Sequence, residues 1–166
     1  MAYTPTVSSA LSSAPELRDA KGDGGLATEA RLLEPYGIFL DASGQLIVTD
    51  SGDQVVRRVD REGRITTLAG VGVAGYMGDD GPALRAQFDW PQGGAGSADG
   101  LMFINDEHNH VIRVIEPDGT IRTLAGIGRP VRMPDGAPAT ETALVDPEAV
   151  LARSDGSILI SEGVPK

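Results

Sequence analysis

Short apolar segments alternate with polar turns along most of the chain. The first four are YGIFLD (Tyr36–Asp41), QLIVTD (Gln45–Asp50), VVRRVD (Val55–Asp60) and RITTLAG (Arg64–Gly70). Between them lie ASG, SGD and REG, whose polar and glycine-rich composition is typical of tight turns. Segments this short and rich in β-branched residues indicate strands. The pattern predicts a four-stranded antiparallel meander, with strands a to d in chain order.

The same pattern returns at a fixed interval along the chain. Three prolines and three glycines mark a period of 56 residues: Pro35, Pro91 and Pro147, and Gly44, Gly100 and Gly156. The segments GQLIVTD, GLMFIND and GSILISE share one register without a gap. A period in this range indicates an array of supersecondary units. Meanders repeated around an axis form a β-propeller, so the fold class is all-β with propeller blades.

The glycine- and aspartate-rich segment before each of these prolines predicts a connector from the outer strand d of one blade to the inner strand a of the next. GDGG and GDDG have the composition of turns, and PALRAQF (Pro82–Phe88) predicts about two turns of helix with proline at its start. Leu32, Phe88 and Leu144 are expected to hold the connectors against the blades.

The repeat resembles a known family. The segment PYGIFLDASGQLIVTDSGDQVVRRVDREGRITTLAG is similar to the NHL repeat, a β-propeller blade, and Asn109, His110 and Arg113 of the second copy match its pattern. The first copy differs, with Asp53 and Gln54 where Asn and His are usual. The resemblance implies a scaffold that binds a protein, peptide or glycan. It also implies an alternative, since relatives include metal-dependent lyases and lactone hydrolases with axial His, Asp, Glu or Arg ligands.

The repeats divide the chain into four parts. Residues 1–21 form an N-terminal segment in which Thr4–Leu11 permits one outer strand, and residues 22–77 and 78–133 each hold a connector and a blade. Residues 134–166 hold a connector and the first half of a third blade. About two and a half blades are fewer than the roughly four that close a ring. An excised fragment, a truncated product and a protomer that closes a ring by self-association remain open, and open edges favour association.

The composition of the chain limits the kinds of partner that it can be expected to bind. The net charge is -10, which disfavours nucleic acid and suits a cationic partner or metal ions. The chain has no cysteine, and its N-terminus has neither the basic nor the apolar region of a signal peptide. No apolar run approaches the length of a membrane helix. A soluble chain is expected, with its compartment undetermined.

Strand direction places the candidate site. The b–c turns and the connectors meet at the face where strand a of each blade begins, here called the mouth face; the a–b and c–d turns lie on the far face. Tyr36, Gln92 and Glu148 occupy equivalent positions at the mouth of the central channel, and Asp106 and His108 lie in a neighbouring b–c turn. We expect these five residues to bind a ligand, because binding residues concentrate on loops held by a rigid scaffold.

Each candidate has a structural alternative. One register of the repeat holds Asp50, Asp106 and Glu162, which favours a hydrogen-bond acceptor that recurs in the turn of every blade. The residues Asp106, His108 and His110 lie where the chain must turn, so they fit a hairpin better than a set of metal ligands. The Asp-Gly turns resemble Ca²⁺ loops but lack a bidentate glutamate at the right distance. No cofactor is predicted, with Ca²⁺ or Zn²⁺ left open. Neither a G-x-S-x-G motif nor a cysteine nucleophile is present, so no catalytic residue is assigned.

Three functions follow from these residues. The first is a binding module for a protein or peptide at the mouth face, the second a metal-dependent lyase or hydrolase with its site at the channel mouth, and the third a structural spacer. Because no catalytic residues can be assigned from the sequence, a binding module is favoured over an enzyme.

Overall fold

The computed structural model describes residues 22–131, 133 and 135–163. These residues form eleven strands: β1 (Pro35–Leu40), β2 (Leu46–Asp50), β3 (Val55–Val59), β4 (Ile65–Ala69), β5 (Gly81–Pro82), β6 (Pro91–Gly96), β7 (Met102–Asp106), β8 (Val111–Ile115), β9 (Thr120–Ala125), β10 (Pro147–Ala152) and β11 (Ile158–Glu162). Two short 3₁₀ turns, Ala83–Arg85 and Ala139–Glu141, are the helical elements of the described residues. The predicted Thr4–Leu11 strand lies outside the described residues.

The strands pair as antiparallel meanders. The first sheet has the order β1-β2-β3-β4, the second β5-β9-β8-β7-β6, and the third pairs β10 with β11. The predicted strands a to d of the first two blades are confirmed, with ends that differ by one or two residues. The fold class is therefore all-β, built from propeller blades, with two full blades and the first half of a third in the described residues.

Apolar side chains bury themselves between neighbouring blades. Ile47 and Val56 of the first blade belong to one cluster with Ile104 and Ile115 of the second, and Phe88 of the connector joins it. Burying an aliphatic or aromatic side chain of this size contributes roughly 1.5–3 kcal/mol. A second cluster joins the second and third blades and includes Phe103, Ile112, Val114, Leu144 and Val150. The blades are therefore held together face to face.

The predicted connector helix at Pro82–Phe88 is wrong. Gly81 and Pro82 instead pair with Ile121 and Thr120 of β9, which makes β5 a fifth strand on the outer edge of the second blade. The helical part is limited to the turn Ala83–Arg85. The first connector follows the same path, with Leu26 bridged to Arg64. Pairing across the outer edge overrides local helix preference and protects an otherwise open strand edge.

The inner strands begin with a repeated irregularity. The pairing register of β1 with β2 shifts between Pro35 and Gly37, and the same shift occurs at the start of β6 and of β10. Each shift leaves one extra residue on the inner strand, namely Tyr36, Gln92 or Glu148. Such bulges bend a strand and redirect a side chain, and they are common next to functional sites.

Apolar side chains remain uncovered at both ends of the blade stack. Ile38 and Leu40 of β1 are 72% and 59% exposed, and Leu151 and Leu159 of the paired strands β10 and β11 are 56% and 54% exposed. Because side chains alternate along β11, the exposed face carries Leu159, whereas Ile158 and Ile160 are half-buried against the second blade. No helix in the part of the chain that the structure describes is long and apolar enough to cross a membrane.

Candidate binding site at the mouth face

The three bulge residues have the same backbone position but different surroundings. Tyr36 is 64% exposed and Glu148 is also exposed, whereas Gln92 is buried and its Nε2 donates a hydrogen bond to Oε2 of Glu107. Residues at this position can therefore face a ligand in the first and third blades. In the second blade the side chain is held by Glu107, a half-buried residue of the neighbouring turn.

An aromatic pair lies beside this position. Trp90 stacks on His108 with ring centroids 5.6 Å apart and an interplanar angle of 15°. Nδ1 of His108 lies 3.3 Å from Oδ1 of Asp89, and the backbone N–H of Trp90 donates to Oε1 of Gln54 at 2.7 Å. The last contact crosses from the first blade to the second. Sequence reasoning identified His108 but missed Trp90, whose one signal is its place directly before the connector proline.

Asp106 is buried beneath the mouth face. It is fully buried, and it accepts hydrogen bonds from the backbone N–H of Asp89 at 2.8 Å and from Nδ2 of Asn109 at 2.9 Å. Nη1 of Arg113 is 3.5 Å from its Oδ2. Burial raises the pKa of Asp106 to about 7 against the opposing effect of these hydrogen bonds. Its carboxylate is occupied by protein groups, so the expectation that Asp106 contacts a ligand directly needs correction.

The same acceptor recurs in every blade. Asp50 accepts the N–H of Leu33 at 2.8 Å, and Glu162 accepts the N–H of Val145 at 2.6 Å. In each case the donor lies two residues before the connector proline. These carboxylates fix the end of each connector to strand b of its blade, as the turn-acceptor interpretation requires.

The acidic turns of the connectors hold buried arginines. Arg57 and Arg113 are fully buried, and their Nη2 atoms lie 2.6 Å from Oδ1 of Asp23 and 2.7 Å from Oδ1 of Asp79. Oδ2 of Asp23 also accepts the N–H of Thr67 at 3.0 Å. Both carboxylate oxygens of Asp23 therefore have protein partners. The structural interpretation of the Asp-Gly turns explains their composition without a Ca²⁺ ion.

Asp106, His108 and His110, the residues of the less favoured metal interpretation, each have a separate partner. Asp106 points to Asn109, His108 lies beside Asp89, and Nδ1 of His110 is 3.6 Å from Oδ1 of Asp146. The described residues contain no group of three or more His, Asp or Glu side chains placed around one metal position. Glu148 at the channel mouth therefore belongs to no such group within the described ranges.

The far face has a concave surface that sequence reasoning did not identify. A cleft of about 770 Å³ lies between the first two blades, and its lining includes Asp41, Arg58, Met102 and Glu116. The a–b and c–d turns form its rim. Its apolar floor continues the cluster that joins the two blades.

Comparisons with known proteins agree with this architecture. The family description of the Teneurin NHL domain matches residues 6–75. The chain is 36% identical over 55% of its length to Protein SUPPRESSOR OF QUENCHING 1 of Arabidopsis thaliana, and 30% identical over 85% of its length to Teneurin-3 of Danio rerio. NHL repeat-containing protein 2 of Bos taurus is 27% identical over 79% of the chain. The chain spans only 9%, 6% and 19% of these relatives' lengths.

Solved structures show the same fold. A protein of unknown function from Bacteroides thetaiotaomicron superposes with a TM-score of 0.65 and 19% identity, over 82% of this chain and 35% of the other. An auxiliary nutrient binding protein from the same species gives a TM-score of 0.59 at 21% identity, over 75% of this chain and 34% of the other. These two structures show the β-propeller fold. The match to the Teneurin NHL domain and the NHL-repeat relatives, together with the 56-residue repeat, show that the chain belongs to the NHL-repeat β-propeller family.

Proposed function

We propose that the chain is a propeller scaffold that binds a protein or peptide partner at its mouth face. One observation carries the proposal: the repeated bulge keeps the backbone constant at the mouth, while its three side chains differ. Tyr36 and Glu148 thus present an aromatic ring and a carboxylate at equivalent exposed positions, whereas the amide of Gln92 is buried and bound to Glu107. A constant frame with varied surface side chains suits recognition, since loops held by a rigid scaffold concentrate binding residues.

The chemistry of the face favours a partner with basic side chains. Asp89 lies against His108 of the aromatic pair, Glu107 directly precedes His108 in the chain, and Glu148 is exposed at the equivalent bulge of the third blade. A guanidinium or ammonium group can stack on an aromatic ring and pair with a nearby carboxylate. Opposite charge also raises the rate of association more than it raises affinity. The overall charge of -10 acts in the same direction.

The uncovered ends of the blade stack support a further part of the proposal. Ile38 and Leu40 at one end, and Leu151 and Leu159 at the other, occupy positions that pack between blades elsewhere in the fold. A face of this kind is covered when another blade stacks against it. We therefore propose that the chain self-associates through these ends. The segment Thr4–Leu11 is the candidate to cover part of a partner's open edge, so deletion of residues 1–20 should lower the association state or the solubility.

A competing proposal is a metal-dependent lyase or hydrolase at the channel mouth. Virginiamycin B lyase from Staphylococcus aureus has a similar fold, with a TM-score of 0.51, 18% identity and coverage of 77% of this chain and 34% of the other. That likeness supports the fold alone, because the activity of a protein depends on the residues of its site and not on its fold. Metal at stoichiometric amounts that is lost in a Glu148→Gln variant would favour this alternative.

The binding proposal is tested with a peptide selected from a random library for affinity to the chain. We expect selected peptides to be enriched in lysine and arginine. The double variant Y36S/E148Q, at the mouth face, should weaken binding at least about tenfold, which corresponds to roughly 1.4 kcal/mol. The matched variant A42S/D99N also removes one carboxylate from exposed positions, but on the far face, and it should change affinity less than about twofold.

Two results would contradict the proposal. If A42S/D99N weakens binding and Y36S/E148Q does not, the far-face cleft is the binding site. If the selected peptides show no basic enrichment and neither variant matters, the mouth face has no recognition role.

A further inference from the structure

The first two blades differ at one acidic position beneath the mouth face. In the second blade, Oδ2 of Asp106 accepts a hydrogen bond from Asn109 at 2.9 Å and lies 3.5 Å from Nη1 of Arg113. The residue 56 positions before Asn109 is Asp53, and the counterpart of Asp106 is Asp50. The first blade therefore has a carboxylate where the second blade has a neutral donor.

This replacement leaves a buried oxygen without a hydrogen-bond partner. Asp50 is fully buried, and its Oδ1 accepts the N–H of Leu33, but its Oδ2 has no hydrogen bond among the described residues. Burial raises the pKa of Asp50 to about 6, and the charge of Asp53, half-buried in the same turn, raises it further. Arg57 and the N–H groups of Leu33 and Asp53 oppose this rise. A buried carboxylate oxygen with no donor and a second carboxylate nearby is costly.

The two blades also differ in the charged residues around this acidic position. Arg57 pairs with Asp23 as Arg113 pairs with Asp79, so these two pairs cancel in the comparison. What differs is Asp53 in the first blade against neutral Asn109 in the second, and Leu33 in the first blade against Asp89, whose carboxylate lies beside His108. The additional carboxylate of the first blade is therefore Asp53, at the position from which Asn109 donates in the second blade.

We propose that a hard cation binds between Oδ2 of Asp50 and the carboxylate of Asp53, in the place that the amide group of Asn109 occupies in the second blade. Oxygen ligands of this kind suit Ca²⁺, with water and backbone carbonyls completing the coordination. Two carboxylates give a weak site, in the range of about 10⁻⁴–10⁻³ M. The cation differs in place and role from an ion at the channel mouth, because it stabilises the b–c turn rather than a substrate.

The site is coupled to the proposed binding face through Gln54. This residue directly follows Asp53, and its Oε1 accepts the backbone N–H of Trp90 at 2.7 Å. A cation that fixes the turn at Asp53 therefore also fixes the contact between the first blade and the Trp90–His108 pair. The cation site itself is independent of whether the mouth face binds a partner.

The test compares the wild-type chain with Asp53→Asn after removal of metal by EDTA. The variant restores the arrangement of the second blade, so it should fold, and it should melt at a higher temperature than the metal-free wild type. Addition of 10 mM CaCl₂ should raise the melting temperature of the wild type by about 4 °C and leave the variant unchanged. Glu62→Gln removes an exposed carboxylate of a c–d turn and should respond to Ca²⁺ as the wild type does.

A second readout uses the single tryptophan of the chain. Trp90 lies next to the turn through Gln54, so Tb³⁺ bound at the site should show emission sensitised by tryptophan, and Asp53→Asn should lose that emission. The inference is overturned if Ca²⁺ has no effect on the wild type, because a shared proton then satisfies the two carboxylates. An equal effect of Ca²⁺ on the wild type and on Asp53→Asn would also overturn it, because the ion would bind elsewhere.

Discussion

The ion pair between Asp79 and Arg113 provides the most direct mutational test of how connectors stabilise the blades. Arg113 is fully buried in β8, and its Nη2 lies 2.7 Å from Oδ1 of Asp79, 34 residues earlier in the chain. The guanidinium also lies 5.3 Å from the ring centroid of Tyr76. The change Asp79→Asn keeps the shape of the side chain but removes the negative charge that compensates the buried cation.

The expected loss in free energy of unfolding follows from how deeply Arg113 and Asp79 are buried. Removal of one partner from a fully buried ion pair costs about 3–5 kcal/mol. Asp79 is 36% exposed and Asp106 remains 3.5 Å from the guanidinium, so solvent screening and this second carboxylate reduce the loss. We therefore expect the free energy of unfolding to fall by about 2 kcal/mol. For a chain of this size, that corresponds to a melting temperature lower by roughly 4–8 °C.

The assay is thermal and urea unfolding of Asp79→Asn beside its neighbour Asp80→Asn. Asp80 is exposed and has a positive φ of 62°, which asparagine tolerates, so its substitution removes the same charge without touching Arg113. In an Arg113→Met background, Asp79→Asn should have almost no further cost. Equal melting temperatures for Asp79→Asn and Asp80→Asn would refute the role of this ion pair.

The remaining predictions concern pH and association. Because burial raises the pKa of Asp106 to about 7, the folded chain retains a proton that the unfolded chain loses above about pH 4. The contribution of Asp106 to the free energy of unfolding should therefore fall as pH rises from about 4 to 7, and Asp106→Asn should flatten that slope in urea titrations. An unchanged slope would assign it to Asp50, whose pKa burial also raises, or to the overall charge. The wild-type chain should show a molar mass above 17.3 kDa by light scattering, and L151S/L159S should shift it toward that value. A monomer at all concentrations would show that the end faces do not associate.

The blades were predictable because their signals are local and repeated. Alternation of apolar strands with glycine turns in a 56-residue register defines β1 to β4 and β6 to β9 without knowledge of their neighbours. The connector was not predictable in this way. Local preference favours a helix at Pro82–Phe88, but the pairing of β5 with β9 depends on residues almost 40 positions away.

The candidate site was predictable only in outline. Strand direction placed Tyr36, Gln92 and Glu148 at one face, but the bulge at each of them arises from pairing that the sequence does not display. The burial of Asp106 likewise depends on the connector that folds over it. Trp90 reaches His108 across 18 positions, a contact that no local pattern indicates.

The central claim is that the mouth face, rather than the far face, binds the partner. Hydrogen exchange of backbone amides, measured with and without a saturating library-selected peptide, tests this claim most directly. We predict that the peptide slows exchange in the b–c turns at residues 51–54 and 107–110, and leaves the a–b turns at residues 42–44 and 98–100 unchanged. Protection confined to the a–b turns would contradict the account and assign binding to the cleft between the blades on the far face.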